Sequence, residues 1–159
     1  MGTSTDAYLM YGYDLGSEED WKIQGLGEYG EWKPDWLNVD EDAEDEPDWT
    51  EEIQKQLRKS VGFTETDWEA DGFYKRQAAA DAQIGVELES HCSGEYPMYV
   101  LAAKTITAGR GYPVTVEPAA LQAAVLDGGL DEKLARAIEA LGIQPVQEKP
   151  AWLLCSYWG

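Results

Sequence analysis

Apolar side chains alternate over residues 6–16, DAYLMYGYDLG. Ala7, Leu9, Tyr11, Tyr13 and Leu15 take one face, and Tyr8, Met10, Gly12 and Asp14 take the other. A two-residue period predicts a strand, and the aromatic and apolar groups on both faces predict that it is covered on both sides. A second alternating run covers 84–93, with Ile84, Val86, Leu88, Ser90 and Cys92 opposite Gly85, Glu87, Glu89, His91 and Ser93. This reads as a half-buried strand with one polar face. Ser93, Gly94 and Glu95 turn it into a partner strand, PMYVLAAKTIT, giving a β-hairpin. The Gly-Arg-Gly stretch 109–111 turns the chain again, and Tyr112 to Val116 reads as a short extra strand. KPAWLLCSYWG, rich in aromatic and branched residues, is a further strand.

Between these runs the period lengthens towards that of a helix. Asp48 stands at an N-cap with Glu51 three residues on, Ile53, Leu57 and Val61 follow at four-residue steps, and Gly62 supplies the stop. A second helix starts near Asp71 and runs through Phe73, Gln77, Ala80 and Gln83. Pro118 opens a third, which Gly128 and Gly129 break. Asp131 is expected to cap a fourth, whose apolar stripe is Leu134, Ile138 and Leu141 and which ends at Gly142. Strands at both ends and in the middle, with helices between, predict an α+β fold. The expected sheet is mixed or mostly antiparallel, of about four strands, with the helices packed on one face. The 159 residues form one domain, and no repeat of 20–50 residues is visible.

Residues 17–48 follow neither period. This loop-rich stretch holds Gly25, Gly27, Gly30, Pro34 and Pro47 together with Trp21, Trp32 and Trp36. A loop this long is expected to be functional or disordered, and its tryptophans favour docking over disorder.

Charge sharpens the picture. The formal net charge is −19, and residues 14–71 carry 20 acids against 5 bases. Such a surface repels nucleic acid and anionic lipid and attracts basic partners, so direct nucleic-acid binding and membrane association are not expected. No apolar run reaches the roughly 18 residues of a membrane span, and MGTSTDAYLMYGYDLG lacks the layout of a signal peptide. The expectation is a cytoplasmic protein with Cys92 and Cys155 reduced.

Candidate chemistry is sparse. His91 and Cys92 are adjacent on a strand and point to opposite faces, so they cannot pair as nucleophile and base; Cys92 is expected to be buried packing. His91 shares a polar face with Glu87 and Glu89, where a carboxylate would raise its pKa. One histidine and no CxxC pair give zinc no support. GLGEYG, Gly25 to Gly30, has the GxGxxG spacing but neither follows a strand directly nor opens a helix, and its surroundings are acidic. Laid on a calcium loop, Asp40, Asp42, Glu44, Glu46, Asp48 and Glu51 fall at positions 1, 3, 5, 7, 9 and 12. Asp45, however, occupies the place of the obligatory glycine and Pro47 follows at position 8. No cofactor or metal is therefore expected.

DAYLMYGYDLG, GFTETDW, CSGEYPMYVLAA and QEKPAWLLCSYWG together resemble a group of small acidic proteins from actinobacteria and their phages. The resemblance spans nearly the whole chain. It implies a small accessory protein, and it transfers no catalytic or binding residue.

The expected function is that of a non-enzymatic acidic interaction protein binding a basic protein surface; its sharper form is a nucleic-acid mimic acting on a host DNA-handling or defence factor. The partner-binding residues would be Asp40, Glu41, Asp42, Glu44, Asp45 and Glu46, with Trp36 and Trp49 as aromatic anchors. The alternative is a small-molecule binder or enzyme using the polar sheet face of Asp14, Glu87, Glu89 and His91.

Overall fold

Strand β1 (Thr5–Ser17) organises the molecule, because it pairs along both of its edges. The computed structural model describes residues 5–38, 42 and 44–159. After β1 come β2 (Asp20–Trp21), α1 (Trp49–Ser60), α2 (Phe73–Ile84), β3 (Glu87–Ser93), β4 (Pro97–Ala108), α3 (Pro118–Asp127), α4 (Leu130–Leu141) and β5 (Ala151–Trp158). The fold is α+β, with a mixed five-stranded sheet and four helices.

One edge of β1 runs antiparallel to β4, from Ala7↔Ala108 to Ser17↔Met98, and the other runs antiparallel to β5, from Thr5↔Trp158 to Gly12↔Ala151. β3 pairs antiparallel with β4 and meets β5 in parallel at Cys92↔Tyr157 and Ser93↔Trp158. The four long strands thus pair in a ring. A path of partners from Asp6 through Tyr157 and Cys92 to Pro97 returns beside the far end of β1, since Met98 pairs with Ser17. A ring this small closes only with strong stagger between its strands.

The β1–β4 register shifts twice: Ala103 of β4 is the extra residue at Tyr11/Gly12, and Leu15 of β1 is the extra residue at Asp14/Gly16. Gly12 is required there: a Cβ at this position would lie 1.8 Å from the Leu101 carbonyl oxygen.

The sheet has two cores. Its outer face presents Tyr11, Tyr13, Leu15, Leu88, Tyr99 and Leu101 to Ile53 and Leu57 of α1 and to Leu134, Ala137 and Leu141 of α4. Its inner face closes on Met10, Val100 and Ala102, with Tyr8, Leu153 and Cys155 packed against them. Both faces of β1 are therefore covered, as its sequence predicts.

The helix signals hold with local changes. Asp48 caps α1 by accepting from the backbone N–H groups of Thr50 and Glu51. The Glu51 carboxylate turns to Lys55 instead, 3.4 Å away. Ile84 ends α2 rather than starting a strand, because Gly85 adopts a left-handed φ of 65° and the extended chain begins at Glu87. Asp131 does not cap α4. Gly129 occupies that place, and Asp131 lies in the first turn, where its carboxylate accepts a 2.6 Å hydrogen bond from the Tyr11 hydroxyl. Burial first, and then this bond, push the Tyr11 pKa up to about 12. Residues 112–116 form an exposed loop instead of a strand.

Candidate functional site

Trp21, Trp32, Trp36 and Trp49 assemble into one cluster. Trp32 and Trp49 stack with centroids 4.8 Å apart and planes inclined by 11°, and Trp21 meets both edge-on at 5.1 and 5.0 Å. Trp21 also stacks on Tyr99 of β4, which fixes the cluster to the outer face of the sheet. Trp36 leans edge-on against Trp32 and donates its indole N–H to the Leu141 carbonyl at 3.0 Å, tying the insertion to the end of α4. A large amphipathic ring gains most by burying its body while its N–H finds an acceptor. That is what holds residues 20–37 to the domain, together with β2 and a bridge between Ile23 and Pro145.

This alters the part the two proposed anchors can play. Trp49 is 7% exposed and is the first residue of α1, so its ring is occupied by the core. Trp36 is half-buried and hydrogen-bonded. Trp49 therefore offers no open ring face, and Trp36 only a partly covered one. Of the six acids proposed with them, Asp42, Glu44, Asp45 and Glu46 are exposed, whereas Asp40 and Glu41 lie outside the described residues.

Beside the tryptophan cluster lies an open groove of about 660 Å³. Three separate stretches of chain build its rim. The turn from β1 to β2 brings Glu18 and Glu19, the insertion brings Glu31, Lys33 and Glu46, and the β3–β4 hairpin brings Glu95 and Tyr96. Glu18 accepts a 2.9 Å hydrogen bond from the Tyr99 hydroxyl; burial and then this bond raise the Tyr99 pKa well above the usual phenol value. Glu31 pairs with Lys33 at 2.7 Å. Glu19, Glu46 and Glu95 form no ion pair or side-chain hydrogen bond among the described residues. Tyr96 stands 70% exposed beside them.

Three uncommitted carboxylates and an exposed phenol ring therefore line one groove. A lysine or arginine of a partner would meet charge on the rim and apolar surface at the base. Sequence reading found Glu46 but missed Glu19, Glu95 and Tyr96, because nothing in the local pattern shows that a hairpin turn lands next to a distant insertion.

Cys92 also reaches this groove. Its expected burial is not observed: the thiol is exposed, and the residue adopts a left-handed φ of 73°. Cys92 is the last residue of β3 to pair with β4. The backbone turns over at that point, so the alternation that would have buried its side chain has already failed.

The alternative polar face is real as a face. Cross-strand register sets Glu89 opposite Val100, which also faces Asp14, and sets Glu87 opposite Ala102. Since Val100 and Ala102 belong to the inner core, these carboxylates share the inner side of the ring, as does His91 two residues beyond Glu89. Asp14 is bound by Lys22 at 2.7 Å. Burial raises the pKa of Glu89, helped by the charge of the adjacent Glu87 and a hydrogen bond to it.

His91 departs from expectation. Burial lowers its pKa, with Lys22 adding to the effect, and outweighs the opposing pull of Asp14. Burial thus favours the neutral imidazole. The rim groove draws on none of these four residues. Among the described residues no group of three or more His, Cys, Asp or Glu is placed to hold a metal ion, and no helix is long and apolar enough to cross a membrane.

Comparison with protein-family models, with curated proteins and with solved structures finds no match to this chain.

Proposed function

We propose that this protein acts by binding a basic surface of another protein, and that the acid-rimmed groove beside the tryptophan cluster is where the contact is centred. The observation that carries this reading is that Glu19, Glu46 and Glu95 line one groove with Tyr96 and form no ion pair or side-chain hydrogen bond among the described residues. The exposed acids Asp42, Glu44 and Asp45 continue the charge away from the groove. An excess of 19 negative charges steers basic partners towards the molecule from any side, and the groove supplies a place for one side chain to settle. Displacement of nucleic acid from a basic protein is the sharper form of the same reading.

Net charge alone would attract any polycation, so the test must separate place from amount. Two variants of equal net charge serve: Glu19→Gln, Glu46→Gln and Glu95→Gln together, and Glu117→Gln, Asp127→Asn and Glu148→Gln together, all six being exposed. Binding of an arginine-rich peptide is followed by calorimetry over a salt series. The groove variant is expected to lose about tenfold or more in affinity and part of the salt dependence, while the control variant loses little. Equal losses in both variants would reduce the effect to net charge and remove the groove from the reading.

A further inference from the structure

The geometry points to a second site, unrelated to the acidic rim, between α1 and α2: a groove that takes a flat aromatic ring carrying an anionic group. It measures about 720 Å³, within the range of small-molecule pockets. Phe63, Trp68, Phe73 and Tyr74 supply its aromatic surface. Phe73 is buried at the base, with Phe63 5.6 Å and Tyr74 5.2 Å from it. Trp68 and Tyr74 are 61% and 64% exposed. Two large aromatic rings left in water on the same groove are surface awaiting a cover.

The wall that carries Trp68 is braced in place. The Arg76 guanidinium donates to both Glu65 carboxylate oxygens, at 2.7 and 2.6 Å, and to the Asp71 carbonyl at 2.8 Å. A ligand would find the loop already shaped, which spares it the cost of ordering.

Charge selects the ligand class. Five charged residues line the groove, and four of them are engaged. Glu65 is held by Arg76, Glu51 pairs with Lys55, and Arg58 donates two hydrogen bonds to the Asp81 carboxylate at 2.7 and 2.8 Å. The fifth, Lys59, forms no ion pair or side-chain hydrogen bond among the described residues. In a chain with 31 acids, the one uncommitted charge in this groove is positive. Charges further away than about 8 Å are largely screened at physiological salt, so the nearest ammonium sets the local preference.

Three probes with one ring system decide the matter: indole-3-acetate, 3-methylindole and tryptamine, respectively anionic, neutral and cationic. Each is titrated into the full chain while the Trp68 indole N–H and backbone amide signals are followed by NMR. The anion is expected to bind most tightly and the cation least, with shifts centred on Trp68, Tyr74 and Lys59. Lys59→Gln should remove about two- to fivefold of the anion's affinity and leave the neutral probe unchanged. Trp68→Ala should abolish binding of all three; the ring is exposed, so the unfolding midpoint should stay within a few degrees of the parent's. Tryptamine binding as well as indole-3-acetate, unaltered binding in the Trp68 variant, or shifts mapping elsewhere would each overturn the proposal.

Discussion

Tyr11 shows how one side chain couples the sheet to a helix. Its ring is buried on the outer face and tilts against Trp152 of β5, while its hydroxyl reaches Asp131 in the first turn of α4. With its pKa raised from 10.0 to about 12, the folded state holds the phenol proton more tightly than the unfolded chain does. The stability this confers is complete below pH 10 and is lost as pH rises towards 12, with a limiting slope of about 1.4 kcal/mol per pH unit. Tyr11→Phe should therefore be less stable than the parent by about 1 kcal/mol at pH 7, since the bond to Asp131 is gone. The gap should close between pH 10 and 12, where the unfolded parent ionises its tyrosine while the folded parent keeps the phenol proton, and the Phe variant has no such group. Urea midpoints at pH 7, 10 and 11 measure this, and parallel curves for the two proteins would contradict it.

Among the elements, the ring depends on β1 being approached closely on both edges. Gly12 makes that approach: its neighbour β4 shifts register there, and any Cβ would meet the Leu101 backbone. A backbone atom cannot swing aside as a side-chain tip does. Gly12→Ala is expected to cost at least about 3 kcal/mol and to loosen pairing with β4 and β5 together. Hydrogen exchange would show this as lost protection in three strands at once; protection lost in β4 alone would mean that the ring is not one cooperative unit. The elements themselves were largely legible. Asp48, the four-residue step from Ile53 to Leu57 and the glycines after the helices all place helix ends through local chemistry. What went unread were features set by neighbours: the turn-over at Cys92, and the Gly129 cap that freed Asp131 for Tyr11.

At the scale of the whole molecule, charge works against compactness. With 31 acids and 12 bases, self-repulsion among like charges outweighs the few exposed pairs, each worth about 0–1 kcal/mol. Raising salt from about 10 mM to about 150 mM shortens the screening length from about 30 Å to about 8 Å. The melting temperature should rise over that interval while affinity for basic peptides falls. A melting temperature that drops with salt would show that the ion pairs, such as Arg58–Asp81, contribute more than the repulsion costs.

The candidate sites divide along the same line. The acidic run and the polar alternation of Glu87, Glu89 and His91 are visible in the chain because they are sequential patterns. That Trp21, Trp32 and Trp49 are buried was not visible, since a tryptophan in a polar stretch has the same sequence whether it is buried or free.

By itself the sequence determined the α+β class, the presence of the four helices, the covered strand β1 and the net charge. These follow from short-range periods, caps and simple counting. The tertiary structure alone decided that four strands close in a ring, that burial rather than a nearby carboxylate governs His91, and that Glu19, Glu46 and Glu95 line one groove with Tyr96. Each depends on which distant residues become neighbours, and that is fixed by the register of β1 with its two partners and by the packing of the tryptophans.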